Sequence, residues 1–192
     1  NKEEIMRRHP WTPRAFLWLV LAACAGEASA QPKAWEPLGP EGGRIQSITQ
    51  DPTNIQVMLV SPYGYPSRIF KSTNRGLAWS SLSVVSDYVH TLRYDPANPN
   101  IVYAAGNYYV HKSTNGGQSW TRYSIPGNYY SYALAFDPVN TSILHVSCDS
   151  YDGSKWVPGY ARSTDGGMTW SGSRLGTEGG ACFGVAVDQL NP

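Results

Sequence analysis

The sequence predicts an all-β fold built from repeated four-stranded antiparallel sheets. Two short phrases that recur in phase, with apolar segments of strand length between them, support this prediction. The longer phrase, the eight-residue motif, occupies residues 72–79, 113–120 and 163–170, and its final tryptophans are 41 and 50 residues apart. This spacing is typical of repeats in which each copy is one supersecondary unit that buries its apolar face against the next copy.

The shorter phrase, the Asp-Pro motif, has the pattern Asp-Pro-x-Asn and occupies residues 51–54, 95–98 and 137–140. A degenerate copy starts at Asp188. Asp, Pro and Asn are typical turn residues, so each module is expected to contain two turns at fixed places. The spacing between the two motifs is widest in the third module, where a surface loop is predicted around residues 148–159.

Apolar segments lie between these turns, among them residues 57–60, 101–103 and 143–146. They are of strand length and nearly continuous, which predicts strands that are buried on both faces. Because an antiparallel sheet normally keeps one face in water, such sheets must be packed between two like sheets. A β-propeller provides this arrangement, with four-stranded blades around a central channel.

The three predicted blades lie near residues 44–83, 89–124 and 130–173, and a fourth starts at residue 182. Their predicted strands are 44–51, 57–61, 67–73 and 77–83; 89–95, 101–105, 108–114 and 118–124; and 130–137, 143–148, 159–164 and 168–173. Residues 182–188 are predicted to be the innermost strand of the fourth blade. Residues 31–192 are therefore expected to be an incomplete, N-terminal propeller fragment, whose partner is the C-terminal remainder of its own propeller.

The eight-residue motif suits a hairpin between the third and fourth strands of a blade. Its Asn or Asp can accept hydrogen bonds from backbone N–H groups of its own turn, and a glycine supplies the positive φ that closes the turn. The tryptophan is predicted to lie on the outer strand, buried between neighbouring blades. The residues assigned to this structural role are Ser72, Asn74, Gly76, Trp79, Ser113, Asn115, Gly117, Trp120, Ser163, Asp165, Gly167 and Trp170.

The pattern Ser-x-Asp/Asn-x-Gly-x-x-Trp resembles the Asp-box, also called the bacterial neuraminidase repeat (BNR). Together with the Asp-Pro motif, it is similar to the propeller domains of sortilin-type receptors and xyloglucanase-type enzymes. The resemblance covers residues 35–192 and implies a propeller fold. It implies no single activity, because the repeat occurs in sialidases, other glycosidases, sorting receptors and assembly factors.

The composition agrees with an extracellular β protein. The chain has 19 Gly, 14 Pro, 13 Tyr and 7 Trp, and only 15% of its residues are charged. From Gln31 onward, eleven Lys and Arg balance eleven Asp and Glu, which gives no electrostatic reason to expect nucleic acid or an anionic membrane as a partner. The sequence contains no phosphate-binding loop, nucleophile elbow or metal-ligand cluster, so neither a cofactor nor a metal is predicted.

The first thirty residues are predicted to be an export signal with a few residues upstream of it. A basic segment at residues 6–14 precedes a short apolar core at 15–23, and Ala28-Ser-Ala30 matches a cleavage site. We expect a secreted bacterial protein, extracellular or periplasmic, with no transmembrane span after the signal. The alternative is a lipid anchor on Cys24, because residues 21–24 resemble a bacterial lipobox.

Two cysteines, Cys148 and Cys182, are expected near each other. Successive loops of an up-and-down sheet alternate between the two ends of a blade, which places the end of strand two and the start of the next blade together. Export permits a disulfide between them. The alternative is two unpaired buried thiols.

The end of the blades that carries the loops between second and third strands and the crossings between blades is here called the loop face. It is predicted to collect aromatic rings and carboxylates, which suit the pyranose faces and the acid–base chemistry of a sugar site. The candidate ligand-binding residues are Tyr63, Tyr65, Tyr109, Tyr130, Tyr151, Trp156, Asp149 and Asp152, with Asp87 and Glu178 near them. The competing interpretation is that they are ordinary surface residues.

The resemblance to enzymes is incomplete at the positions that would be catalytic. Sialidases carry an Arg-Ile-Pro stretch, but Arg68-Ile69 is followed here by Phe70. Xyloglucanase-type enzymes place a catalytic Asp before the third strand of an early blade, and the matching residues 61–66 contain no acid. Catalytic residues are therefore left unassigned.

These observations predict a secreted or cell-surface propeller that acts as a binding or recognition scaffold for a glycan or an extracellular protein, and favour a role other than catalysis. One alternative is a glycoside hydrolase, xyloglucanase-like or sialidase-like, whose catalytic residues lie outside the fragment. Another is a propeller that resembles photosystem assembly factors. The chain that follows residue 192 would distinguish among them.

Overall fold

The structure of the protein is a computed structural model that describes residues 39–40, 43–127, 129–176 and 179–190. The predicted export signal at residues 1–30, with Cys24, lies outside the described residues, as does Glu178. The described residues contain no helix, and accordingly no helix among them is long and apolar enough to cross a membrane.

The predicted all-β fold is confirmed, with three sheets of four consecutive antiparallel strands. Blade one contains β1 (Ile45–Gln50), β2 (Met58–Pro62), β3 (Ser67–Ser72) and β4 (Ser80–Val85). Blade two contains β5 (Val89–Asp95), β6 (Asn98–Gly106), β7 (Tyr109–Ser113) and β8 (Thr121–Ser124). Blade three contains β9 (Tyr129–Phe136), β10 (Leu144–Tyr151), β11 (Trp156–Ser163) and β12 (Ser171–Arg174).

The outer strands begin later than the sequence predicts. Each of β4, β8 and β12 starts one residue after the tryptophan of the eight-residue motif, so the tryptophan ends the turn and is not part of the strand. The reason is that the turn itself uses the backbone N–H groups before the tryptophan. The amide of Ala78, for example, donates to the Asn74 side chain at 2.9 Å.

Residues 182–188 are not a strand in the structure, contrary to prediction. A strand is defined by hydrogen bonds to a neighbouring strand, and the described residues supply no such ladder for this segment. The segment does lie beside the inner strands, because Val185, Ala186 and Val187 line a recess of about 550 Å³ together with residues of β1, β5 and β9. Its place corresponds to that of the next inner strand.

Blade two is buried on both faces. Along β6, Val102 and Ala104 point into an apolar cluster shared with blade one, whereas Tyr103 and Ala105 point into a cluster shared with blade three. Successive side chains of a strand alternate between the two faces of its sheet, so one strand contributes to both clusters. This explains why the sequence of β6 is an apolar run and not an alternation.

The three eight-residue motifs form the same hydrogen-bonded turn. In every copy the hydroxyl oxygen of the first residue, a serine, accepts a hydrogen bond at 2.8 Å from the amide of the glycine at the fifth position. The pairs are Gly76 to Ser72, Gly117 to Ser113 and Gly167 to Ser163. These glycines have φ of +82°, +89° and +81°. At Gly167 a side chain is excluded also by packing, since a Cβ would lie 2.9 Å from the ring of Tyr103.

The motifs also join neighbouring blades. The indole N–H of Trp120 donates to the Ser83 hydroxyl of blade one at 3.0 Å, and this hydroxyl donates to the carbonyl of Gly117 at 2.6 Å. Between blades two and three, the buried Tyr103 hydroxyl donates to the carbonyl of Gly166 at 2.9 Å. Lys112 donates to the same carbonyl at 2.7 Å.

The tryptophans differ in burial. Trp170 is 7% exposed and belongs to the cluster between blades two and three, whereas Trp79 and Trp120 are half-buried. The predicted burial between blades therefore holds in full for Trp170 and in part for Trp120, which packs against blade one.

Replacing Trp170 with Ala should lower the free energy of unfolding by about 3–5 kcal/mol, because a large buried ring is lost and a cavity remains. Trp120→Ala should cost less, since part of that ring is already in water. Urea denaturation of the full chain measures both. Equal losses would contradict the assigned difference in burial.

The pH dependence of stability should differ between the copies of the motif. Hydrogen bonds from the Thr169 hydroxyl and amide, together with those of Ser163 and Met168, lower the pKa of Asp165 to about 2. Because its ordinary pKa is about 3.9, the stabilisation it provides is present above pH ~4 and is lost as pH falls towards 2. The unaltered chain should therefore melt at a higher temperature than Asp165→Asn above pH ~4, and this difference should shrink as the pH falls from ~4 towards ~2.

Asn115→Asp is the matched control, because it creates the carboxylate in the second copy, where Ser119 takes the place of Thr169. This variant should acquire a similar loss of stability below pH ~4. A melting-temperature difference between Asp165→Asn and the unaltered chain that stays constant from pH 6 to pH 2.5 would contradict the assignment.

Candidate functional site

The loops β2–β3, β6–β7 and β10–β11 and the crossings between blades lie at the loop face, as the order of strands in each sheet requires. The eight-residue and Asp-Pro motifs close the other end. At that other end the Asp-Pro carboxylates cap their own turns: Asp137, for example, accepts from the amides of Val139 and Asn140 at 2.9 and 2.8 Å. The loop face is thus free of both structural motifs.

Four rings on the loop face form a continuous group, here called the aromatic patch: Tyr108, Tyr130, Tyr151 and Trp156. Tyr130 lies at its centre, with its ring centroid 5.0 Å from that of Tyr108 and 4.6 Å from that of Trp156. The ring of Tyr151 lies 5.4 Å from Trp156 on the other side. The Tyr108 hydroxyl donates to the Tyr130 hydroxyl at 2.9 Å.

The patch is open to solvent although its rings touch. Tyr108, Tyr151 and Trp156 are 38%, 46% and 37% exposed. Flat apolar rings with hydroxyl groups at their edges can pack against pyranose faces and hydrogen-bond to sugar hydroxyls. The hydrogen bond between the Tyr108 and Tyr130 hydroxyls, and to a lesser extent burial, raises the pKa of Tyr130.

Several backbone contacts hold these rings in place. Tyr108 follows Asn107, which forms an antiparallel bridge with Tyr130 across the boundary between blades two and three. Tyr108 itself has φ of +67°, a left-handed conformation that is uncommon for a residue with a bulky side chain. At the other side of the patch, Arg174 donates to the carbonyl of Tyr151 at 3.3 Å.

A recess of about 390 Å³ adjoins the patch and contains one carboxylate. It is lined by Tyr130, Tyr132, Asp149, Trp156, Gly180 and Ala181. Asp149 is 3% exposed and accepts a hydrogen bond from the amide of Cys182 at 3.0 Å. Burial raises the pKa of Tyr132 to about 12, with further contributions from the charge of Asp149 and from the hydrogen bond between the two side chains.

Asp152, the second predicted carboxylate of blade three, has a structural environment. It accepts hydrogen bonds from the amides of Ser154 and Lys155 and from the Ser154 hydroxyl, each at 2.9 Å. The bonds from Lys155 and Ser154 lower the pKa of Asp152 to about 2. This carboxylate closes the loop that leads into Trp156, and its Oδ1 atom accepts all three of these hydrogen bonds.

Tyr63 and Tyr65, both predicted site residues, are exposed and belong to a second set of rings. They pack against Tyr88, at centroid distances of 5.8 and 5.2 Å, and these three residues are here called the tyrosine group. The Arg44 guanidinium lies 5.7 Å from the centre of the Tyr63 ring. The structure thus assigns these two tyrosines to blade one's part of the loop face, apart from the aromatic patch.

Tyr109 is at the margin of the site. It lines an open recess with Tyr108, Tyr151 and Trp156, but its ring lies against the guanidinium of Arg122, at 5.0 Å. Tyr108, which directly precedes it, contacts Tyr130 and forms one end of the aromatic patch; the sequence analysis missed Tyr108, as it missed Tyr88 and Tyr132. The alternation of neighbouring side chains predicts that Tyr108 and Tyr109 point apart, but not which of them reaches the patch.

Cys148 and Cys182 are free thiols in the structure. Cys148 is buried and Cys182 is half-buried. Burial raises the pKa of Cys148 to about 12, with smaller contributions from Asp149 and from Cys182 itself, which places the two thiols in the same neighbourhood.

Within the described residues, no group of three or more His, Cys, Asp and Glu side chains is arranged to hold a metal ion. The arrangement on the loop face offers aromatic surfaces, hydroxyl groups and two buried carboxylates, Asp87 and Asp149. These groups suit the binding of a neutral polyhydroxylated ligand.

The chain was compared with known proteins. No family model matches it. It is 31% identical over 101 residues to the xyloglucanase Xgh74A of Acetivibrio thermocellus, an alignment that covers 43% of this chain and 11% of that enzyme. A second sequence of Xgh74A from the same species is 30% identical over the same length.

Solved structures agree on the fold. An ancestral GH74 enzyme matches with a TM-score of 0.59 and 23% identity, over 75% of this chain and 20% of that enzyme. A GH74 enzyme of Niastella koreensis matches with a TM-score of 0.51 and 23% identity, over 66% of this chain and 22% of that enzyme. The sheets and these likenesses define the class as a propeller-type fold, and the chain spans about a tenth of the length of the curated relatives it matches.

Thiol labelling of the native chain should distinguish the two states of the cysteine pair. Iodoacetamide should modify Cys182 and leave Cys148 unmodified, because Cys148 is fully buried and its high pKa keeps it as the unreactive thiol. Peptide mass spectrometry measures both sites. Protection of both, reversed by a reducing agent, would show that the disulfide forms.

Proposed function

We propose that the aromatic patch binds the sugar rings of a polysaccharide, and that this chain provides a binding surface in a secreted protein. The observation that carries the proposal is the unbroken contact from Tyr108 through Tyr130 and Trp156 to Tyr151 on the face left free by the turn motifs. Such a row of rings presents apolar surface to a chain of pyranose units without the need for a charged ligand.

The ligand proposed for the first test is xyloglucan. The proposal is supported by the relative Xgh74A, which is a xyloglucanase, and by the shared fold of two GH74 enzymes. The balance of positive and negative residues in the mature sequence also favours a neutral polymer over a charged one.

The carboxylates near the patch favour binding over hydrolysis by this part of the chain. Glycoside hydrolysis by the usual mechanisms needs two carboxyl groups that flank the scissile bond, about 5–10 Å apart. Among the residues that line the recess, Asp149 alone carries a carboxyl group, and Asp152 is engaged in closing its own loop.

A second candidate is that the complete protein is a glycoside hydrolase. The identity with Xgh74A is the observation in its favour. In that case the patch would bind the substrate, and catalytic groups would come from outside the described residues. Binding by the patch is common to both candidates.

We also propose that the eight-residue motifs are true Asp-boxes, related to those of sortilin-type and BNR propellers. The proposal is supported by the same hydrogen bond, from the glycine amide to the serine hydroxyl oxygen, in all three copies. Export through the segment at residues 1–30 is part of the same proposal. A lipid anchor on Cys24 would alter only where the exported protein resides.

Affinity electrophoresis in gels that contain xyloglucan tests the binding proposal on the full chain. The double variant Tyr130→Ala/Trp156→Ala should bind at least about tenfold more weakly, because it removes the central rings; tenfold corresponds to about 1.4 kcal/mol. Trp156→Phe keeps a ring and should retain most of the affinity. Met168→Ala, an exposed apolar change at the opposite end of blade three, should have no effect.

Retention of binding by the double variant would contradict the proposed site. No binding of xyloglucan by the unaltered chain, together with binding of another neutral polysaccharide that the double variant loses, would keep the site and change the ligand. Release of new reducing ends from xyloglucan during the same incubation would favour the hydrolase candidate.

A further inference from the structure

Asp87 was predicted as one of the acids of the loop face, and the structure buries it and surrounds its carboxylate with hydrogen-bond partners from two loops. The residue is 4% exposed and lies in the crossing between β4 and β5. Its Oδ1 atom accepts hydrogen bonds from the amide of Tyr88 at 2.8 Å and from the amide of Asn107 at 3.1 Å. Its Oδ2 atom lies 3.1 Å from Nε2 of His111.

These bonds connect both sets of aromatic rings to one carboxylate. Tyr88 belongs to the tyrosine group and packs on Tyr63 and Tyr65. Asn107 directly precedes Tyr108, the ring at one end of the aromatic patch. The carboxylate therefore joins the blade crossing that carries one set to the β6–β7 loop that carries the other.

The loop that Asp87 holds is conformationally costly. A left-handed φ at a bulky residue such as Tyr108 costs on the order of 1–3 kcal/mol and persists only when the surroundings enforce it. The enforcing contacts lie on both sides: the Asn107 amide donates to Asp87, and the Tyr108 carbonyl accepts from the amide of Ile125 at 3.2 Å.

The packing leaves Asp87 little freedom to move away. Its backbone carbonyl accepts from the amide of Ser67 at 3.1 Å, which fixes it to the start of β3. On the other side the backbone of Gly106 approaches so closely that a Cβ there would lie 2.9 Å from the Asp87 carboxylate and 2.5 Å from the Tyr88 carbonyl. Only glycine at position 106 allows this contact.

We propose that Asp87 is a positioning residue for ligand binding on the loop face: its carboxylate holds Tyr88 and the Asn107–Tyr108 loop so that the tyrosine group and the aromatic patch keep one fixed arrangement. The effect on binding rests on the proposed function. The effect on the loop does not, and it can be measured without any ligand.

The ligand-free test follows the position of the Tyr108 ring. The centroids of the Tyr108 and Tyr130 rings are 5.0 Å apart, so protons of the two rings should show nuclear Overhauser effects in the unaltered chain. The measurement is NMR of the full chain with labelled tyrosines. We expect these effects to be lost in Asp87→Ala and kept in Asp87→Asn, whose side-chain oxygen still accepts from Asn107.

Asp87→Ser is the second variant, for the case that Asp87→Ala does not fold. The serine hydroxyl can accept from the nearby Tyr88 amide but is too short to satisfy Asn107 as well. We expect it to lose the nuclear Overhauser effects between Tyr108 and Tyr130 as well. Unchanged effects between these two rings in a folded Asp87→Ala or Asp87→Ser variant would overturn the positioning role.

The binding arm uses xyloglucan as the probe on the same variants. Affinity should fall about tenfold in Asp87→Ala and be restored in Asp87→Asn, whereas a purely structural role would lower the melting temperature without a matching change in affinity of the folded protein. If the unaltered chain binds neither xyloglucan nor another neutral polysaccharide but the contact between the Tyr108 and Tyr130 rings is still lost in Asp87→Ala, the proposed function fails and the positioning role stands.

Discussion

The structure depends on the burial of each sheet between its neighbours. In blade two, Val102 and Ala104 face one apolar cluster and Tyr103 and Ala105 face another, so neither face of this sheet could be left in water without a large loss of buried apolar surface. The blades are therefore not independent units. The contacts that set the angle and distance between adjacent blades therefore also set the positions of the loops at the ends of those blades.

The eight-residue motifs supply part of that fixation at one end of the blades. Each turn satisfies amides of its own backbone, and in the third turn Gly167 leaves room for the ring of Tyr103 from blade two. A carbonyl of the third turn then accepts from Tyr103 and Lys112. Because these turns are both local and inter-blade contacts, they tie the geometry of one blade to the next.

At the loop face, neighbouring blades are connected by residues that do not belong to the repeated motifs. The Asp87 carboxylate holds the crossing from blade one and the loop of blade two, and the bridge between Asn107 and Tyr130 extends the connection to blade three. Irregular sequence is what a functional surface on a repeat scaffold requires, since repeated residues would give every blade the same surface. The aromatic patch lies where these irregular contacts meet.

The sequence by itself determined the fold class, the number of described blades and most strand positions, because turn chemistry and apolar runs act over a few residues. It also predicted the loop face and placed Tyr130, Tyr151 and Trp156 on it. Only the tertiary structure decided that Tyr108 and not Tyr109 completes the patch, and that Asp149 is buried in the recess. These outcomes rest on contacts between residues more than 20 positions apart and on one left-handed backbone angle, which short-range patterns do not encode. The loop cap formed by Asp152 is a local turn, made with Ser154 and Lys155, and short-range turn chemistry accounts for it.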